Sequence, residues 1–85
     1  MSRHTVVTPK KTYTYGFDAC VPEYFLMSVT PKGTRAYLVG EMSSLSGTAG
    51  NLLGEFGRLK LVGLVPQDHL NFISMDLPIP QGEHV

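Results

Sequence analysis

The strongest structural signal in the sequence is a turn between two β-prone segments. Residues 23–30 and 34–41 each alternate side chains at a period of two, which is the period of a β-strand. The intervening Thr-Pro-Lys-Gly of residues 30–33 places proline second and glycine fourth, the positions that these residues prefer in a type I turn. The pattern therefore predicts a β-hairpin.

Three further segments have strand character. In residues 11–17 aromatic side chains alternate with smaller ones, which predicts a strand with an aromatic face. Residues 1–10 contain a short β-prone run that fits either an edge strand or a flexible arm. Residues 59–65 are apolar and short, and they fit either a fourth strand or a buried connector.

Two later segments change to helical spacing. Apolar residues recur at intervals of three and four within residues 45–57, which indicates an amphipathic helix, and Gly57 is expected to end it. Residues 66–76 repeat this pattern, and the prolines that follow leave an extended tail at residues 78–85.

These elements together predict an α+β architecture. The expected structure is an antiparallel sheet of three or four strands, with one or two helices packed on one face. A chain of 85 residues has room for one modest core. We therefore expect residues 1–85 to form a single domain.

Charge and cysteine content narrow the functional classes. Seven basic and seven acidic side chains give a net charge of zero, which removes the long-range attraction that nucleic-acid and polybasic membrane binders use. The single cysteine, Cys20, allows no internal disulfide, so a reducing, cytoplasmic location is expected. No segment approaches the ~20 apolar residues of a membrane span.

Side chains that could perform chemistry are few. Cys20 has apolar neighbours and lies near Asp18, a setting that predicts a buried structural thiol rather than a nucleophile. In the pair Asp68-His69, the carboxylate is expected to favour a helix start and the imidazole to be exposed. The histidines and the cysteine lack the spacing of a metal site. The sequence therefore predicts no enzymatic activity, no metal and no cofactor.

A glycine-rich segment precedes the first predicted helix. Backbone amides of Gly47, Thr48, Gly50 and Asn51 could hold a phosphate or carboxylate at a helix N-terminus. The segment lacks the spacing of a P-loop or a dinucleotide fingerprint, and it also fits a flexible helix entry whose glycines approach the sheet closely. A small-molecule or anion-binding domain that uses residues 46–51 is the alternative function.

Aromatic side chains concentrate on the predicted sheet. One face is expected to lie beneath the helices, and the other to leave Tyr24, Leu26 and Tyr37 outside as an apolar patch of the kind that marks an interface. Large aromatic residues dominate interface energetics, so these three are the expected anchors of a protein contact. The simplest partner is a second copy, because symmetric dimers are the commonest assemblies.

Several segments carry a resemblance to known proteins. Tyr-Gly-Phe-Asp at 15–18, Glu-Tyr-Phe-Leu at 23–26, Val-Pro-Gln-Asp-His at 65–69 and Asp-Leu-Pro at 76–78 follow a layout similar to that of small orphan proteins of bacterial mobile elements, such as integron gene-cassette products. Residues 1–8 resemble the start of a phage-encoded anti-CRISPR protein. The resemblance implies a bacterial or phage accessory protein that acts by binding, and it assigns no site residue.

Overall fold

A four-stranded antiparallel sheet is the central element of the computed structural model, which describes residues 2–40 and 42–80. Neighbouring strands in the sheet are also neighbours in the chain, so short turns suffice to connect them. This confirms the expected sheet, although its fourth strand comes from the N-terminal segment and not from residues 59–65. The strands are β1 (His4–Val7), β2 (Thr12–Asp18), β3 (Glu23–Val29) and β4 (Arg35–Val39).

The predicted hairpin consists of β3 and β4. In its turn the amide of Gly33 donates to the carbonyl of Thr30 at 2.8 Å. Gly33 has a φ of 91°, a left-handed conformation that glycine adopts without steric cost. The Pro-Gly signal in the sequence therefore marks the turn correctly.

A β-bulge interrupts the pairing of β3 with β4. Leu26 pairs with Val39, but the next residue, Met27, pairs with Tyr37, so Leu38 is the extra residue. Without the bulge, residues 37 and 39 would point to the same face. With it, Val39 is buried while Tyr37 is exposed on the other side of the sheet.

Two helices follow the sheet, α1 (Ala49–Arg58) and α2 (Gln67–Ser74). Both predicted helices are therefore present with shorter bounds. Between them, Val62–Leu64 forms one turn of 3-10 helix. Residues 59–65 are thus a connector between the helices rather than a strand.

Both helices end in the same backbone motif. Lys60 and Asp76 have φ values of 61° and 59°, in the left-handed region. The residue after each, Leu61 or Leu77, donates its amide to the carbonyl five residues earlier, at 2.8 and 2.9 Å. This is the Schellman arrangement, which satisfies carbonyls at a helix end. The expectation that Gly57 ends the first helix is wrong, because Gly57 lies inside α1 and a lysine takes the left-handed position.

The helices cover one face of the sheet, as expected. Tyr15 of β2 contacts the Phe56 ring of α1 edge-on, with ring centroids 5.2 Å apart. Its hydroxyl is hydrogen-bonded to His69 of α2. The hydrophobic core forms in this layer and comprises Val6, Tyr13, Tyr15, Tyr24, Leu26, Val39, Leu52, Phe56, Leu61, Val65, Leu70, Ile73 and Ile79.

The two ends of the described chain meet at β1. The ring of His4 donates from Nε2 to the carbonyl of Pro80 at 2.8 Å, and Ile79 is buried. The N-terminal segment is therefore an edge strand and not a flexible arm. Residues 78–80 pack back on the fold and do not extend from it, whereas the rest of the expected tail, 81–85, lies outside the described residues.

Candidate functional site

Two of the three expected interface residues lie beneath the helices. Tyr24 is 2% exposed and Leu26 is fully buried. The Tyr24 hydroxyl donates to the carbonyl of Leu77, just past the end of α2, at 2.6 Å, which holds its ring on the helix side. The prediction that Tyr24 and Leu26 face outward is therefore wrong. Tyr37, which is 39% exposed, points away from the helices as expected.

The face that the helices leave uncovered carries a different set of side chains, which we call the open face. It is defined by residues that alternate with the buried ones on β3 and β4, and β2 contributes small residues beside them. The β3 members are half-buried and those of β4 are exposed. The open face consists of Phe25, Met27, Val29, Arg35 and Tyr37.

A cavity of about 150 Å³ lies on the open face. Phe25, Met27 and Tyr37 supply its apolar lining. Exposed apolar area of this kind is typical of a binding surface when polar residues surround it. The cavity therefore makes the open face, and not the helix side, the candidate site.

Four charged side chains border this cavity, two of each sign. In the strand register, Asp18 of β2 lies opposite Glu23 of β3 at one end of the strands. Arg35 of β4 lies opposite Val29 of β3 at the other end. The guanidinium of Arg3 lies 6.0 Å from the centre of the Phe25 ring, at the outer limit of a cation–π contact. The surface is therefore amphipathic and electrically balanced.

Three of these charges have no ion-pair partner within residues 2–40 and 42–80. Arg58 and Glu55 form an ion pair on α1, but Asp18, Glu23 and Arg35 do not take part in one. The Asp18 carboxylate accepts a hydrogen bond from a backbone amide of the following turn at 3.0 Å. Charges of both signs on this face are thus available to groups on a second molecule.

Gly16 fixes the N-terminal side of the open face. The amide of Ser2 donates to the carbonyl of Phe17, and the amide of Phe17 donates to the Ser2 hydroxyl, both at 2.9 Å. These bonds lay Ser2 over Gly16, where a β-carbon would collide with the Ser2 carbonyl oxygen. Arg3 follows directly and is carried to the edge of the cavity.

Backbone and side-chain groups of the glycine-rich segment form hydrogen bonds within the protein. Gly47 accepts from the amide of Tyr24 at 2.9 Å, and its α-carbon lies against Glu23. Thr48 caps α1 by accepting from the amide of Asn51, whose side chain donates to Ser46. Thr48 and Asn51 thus cap the helix, and their contacts give no support to an anion site here.

The helix glycines do not approach the sheet. A β-carbon at Gly50 or Gly54 would meet no atom within 4 Å. The expectation of close packing at these glycines is therefore wrong. The close approaches occur instead at Gly16, Gly40 and Gly47, where the backbone of another segment lies against the α-carbon.

Two expectations about reactive side chains are also wrong. Cys20 is exposed, because it lies in the turn between β2 and β3 and not in the core. His69 is only 4% exposed, because α2 turns it toward the sheet. Asp68, its neighbour, lies in the first turn of α2 as expected.

His69 belongs to a cluster of rings at the junction of β1, β2 and α2. Its Nδ1 is 2.6 Å from the hydroxyl of Tyr15, and the rings of His4 and His69 have centroids 4.2 Å apart. Burial raises the pKa of the Tyr15 hydroxyl, and the negative charge of Asp68 raises it further. The Tyr15 hydroxyl is therefore neutral at physiological pH and bonds His69 as part of the fold.

The raised pKa of Tyr15 predicts a loss of stability in alkali. Above about pH 10 the unfolded chain releases the tyrosine proton while the folded chain keeps it, so the free energy of unfolding falls. The contribution of Tyr15 to the free energy of unfolding is constant below that pH. Above it, this contribution decreases by at most about 1.4 kcal/mol per pH unit. Urea unfolding between pH 7 and 11 measures the slope.

Two variants identify the source of this alkaline slope. Tyr15→Phe is expected to be less stable at pH 7, since it loses the bond to His69, but to show a shallower decline above pH 10. Leu64→Ala changes an exposed side chain that carries no ionisable group and should keep the wild-type slope. Equal slopes for wild type and Tyr15→Phe would exclude Tyr15 as the cause.

Across residues 2–40 and 42–80, no cluster of three or more His, Cys, Asp or Glu side chains is arranged to hold a metal ion. No helix in this part of the chain is both long and apolar enough to cross a membrane. Comparison with protein-family models, curated proteins and solved structures finds no match.

Proposed function

We propose that this protein is a non-catalytic binding module that associates with a second copy of itself through the open face. The observation that carries the proposal is an uncovered sheet face with an apolar centre, bordered by charged side chains of which Asp18, Glu23 and Arg35 form no ion pair with other described residues. Burial of that centre stabilises a complex, and the surrounding charges select the partner.

The charge balance favours a protein partner over nucleic acid. Arg3 and Arg35 border the cavity together with Asp18 and Glu23, so the face has no excess of positive charge. A phosphate backbone would meet two carboxylates at one end of the strands, where repulsion opposes the attraction from arginine. A surface with both signs of charge is instead suited to another surface of the same kind.

The size of the open face predicts a reversible dimer. Four strands about 4.8 Å apart, of which the longest, β2 and β3, have seven residues, form a surface of at most about 19 by 23 Å. Its area of at most about 440 Å² is well below the ~800 Å² that a standard interface buries on each partner, and contacts of this smaller size are typical of weak, transient complexes. We therefore expect monomers and dimers to exchange with concentration. The role of a bacterial or phage accessory protein, which the sequence resemblance implies, is part of the same proposal.

Substitution of Met27 tests the proposed contact. Met27→Arg places a positive charge at the apolar centre, and the long side chain can still extend to solvent in the monomer. Wild type is expected to shift from monomer to dimer as concentration rises in sedimentation experiments. Met27→Arg is expected to stay monomeric while its thermal unfolding changes little.

A matched control places the same charge elsewhere. Leu64, in the 3-10 turn, is 55% exposed and lies outside the open face, so Leu64→Arg should dimerise like wild type. A wild-type chain that is monomeric at every concentration contradicts the proposal. So does a Met27→Arg variant that dimerises as well as Leu64→Arg.

A further inference from the structure

The charges of the open face are arranged with a direction along the strands. Asp18 and Glu23 lie opposite each other in the strand register, where β2 ends and β3 begins. Arg35 pairs with Val29, six residues further along β3 and therefore about 20 Å away. Arg3 lies toward the end with Asp18 and Glu23, near the Phe25 ring, and offsets one of the two carboxylates, so that end keeps one net negative charge. The face thus has a net acidic end and a basic end, with the apolar lining of the cavity between them.

The separation of these charges keeps them from neutralising each other within one chain. Asp18, Glu23 and Arg35 take part in no ion pair with any residue in 2–40 or 42–80. An isolated surface charge is well hydrated, but one that is covered by an apolar partner needs a counter-charge. Any occupant of the open face must therefore supply a cation near one end and an anion near the other.

A second copy of this chain meets that requirement in one of two face-to-face orientations. In a symmetric dimer of stacked sheets, the two-fold axis lies in the interface, either along the strands or across them. An axis along the strands places acidic end over acidic end, which is repulsive. An axis across the strands reverses the second copy and places its basic end over the acidic end of the first.

We infer that the partner of the open face is a second copy with its strands running in the opposite direction, so that Arg35 of each copy faces Glu23 and Asp18 of the other. This inference rests on the proposed self-association and adds its geometry. Glu23 is the nearer acid, because it lies on β3, directly beside the strand that carries Arg35. Two identical charge contacts then flank one apolar centre.

Charge reversal in two separate chains tests this orientation. Arg35→Glu alone places two sets of like charges in contact, and Glu23→Lys alone does the same with the opposite sign. Each variant is expected to dimerise about tenfold more weakly than wild type, or worse. In an equal mixture, every Arg35→Glu chain can pair with a Glu23→Lys chain. Both contacts of that heterodimer then join opposite charges.

The readout is heterodimer formation between copies that carry different fluorescent labels, with thermal unfolding as the check on folding. We expect the mixture to dimerise within about threefold of the wild-type affinity. Arg35→Glu mixed with wild type is the matched control, and it should be intermediate because only one of its two contacts is attractive.

The outcomes separate this inference from the proposed function. A monomeric wild type overturns the self-association itself. In a second outcome, wild type dimerises and loses its dimer on Met27→Arg, while the mixture of charge variants dimerises as weakly as each variant alone. That result leaves the proposed function standing and overturns the orientation. Variants that each dimerise like wild type also overturn the orientation, whereas recovery confined to the mixture supports it.

Discussion

Gly16→Ala is expected to lower the free energy of unfolding by about 3 kcal/mol, because the added methyl group has no space. The new β-carbon would collide with the carbonyl oxygen of Ser2 and lie 2.7 Å from its carbonyl carbon. Both atoms are backbone, so no side-chain rotation relieves the contact. Ser2 must move away and lose both hydrogen bonds to Phe17. Urea unfolding measures the loss, and amide exchange at residue 17 locates it.

The matched control for this substitution is Gly54→Ala. Gly54 is exposed within α1 and has no atom within 4 Å of its ideal β-carbon position. Alanine is the better helix former, so this variant is expected to be about 0.5–1 kcal/mol more stable than wild type. The two Gly→Ala substitutions should thus change the free energy of unfolding in opposite directions. A Gly16→Ala variant as stable as wild type would show that Ser2 is not held over the sheet.

Local patterns in the sequence predict the elements of this fold well. The turn at residues 30–33 is marked by its proline and glycine, and the helices by apolar spacing. These signals act within a few residues and need no knowledge of the rest of the chain. The helix end at Lys60 escaped prediction because a lysine in the left-handed conformation has no sequence signature, whereas Gly57 resembles a stop signal.

The identity of the covered face could not be obtained from alternation alone. β3 carries large apolar side chains on both faces, and a period of two only divides them into two sets. Charge supplies the missing signal. Glu23 shares the parity of Phe25 and Met27, whereas the set that begins at Tyr24 contains no charged residue. Burial of an unpaired carboxylate is costly, so the set without charge is the one that the helices cover.

The open face also depends on contacts between distant residues. The bulge at Leu38 turns Tyr37 outward, but β4 contains no proline or glycine that would mark the bulge in the sequence. Ser2 and Gly16 are fourteen positions apart, so nothing local reveals why a glycine follows Thr12 and Thr14 in the set of small residues of β2. Sequence reasoning therefore placed Tyr37 on the uncovered face correctly, but it did not identify the other members of the open face.

Phe56→Ala is expected to destabilise the protein by about 3–5 kcal/mol. Phe56 is fully buried on α1 and contacts Tyr15 edge-on, so its removal leaves a cavity between the helix and the sheet. Small proteins have a total stability of about 5–15 kcal/mol, and the variant should be partly unfolded at moderate temperature. Thermal unfolding by circular dichroism measures the change. Phe72→Ala, at a half-buried position on α2, should cost less than about 2 kcal/mol.

Phe56 also separates the core from the proposed interface. It lies on the covered side of the sheet, opposite the cavity that Met27 and Tyr37 line. Phe56→Leu keeps most of the volume and should cost less than about 1.5 kcal/mol, so the fold persists. Its dimerisation should stay within about threefold of wild type, although its stability is lower. A dimer that weakens in proportion to that lost stability would mean that self-association depends on the helix layer and not on the open face.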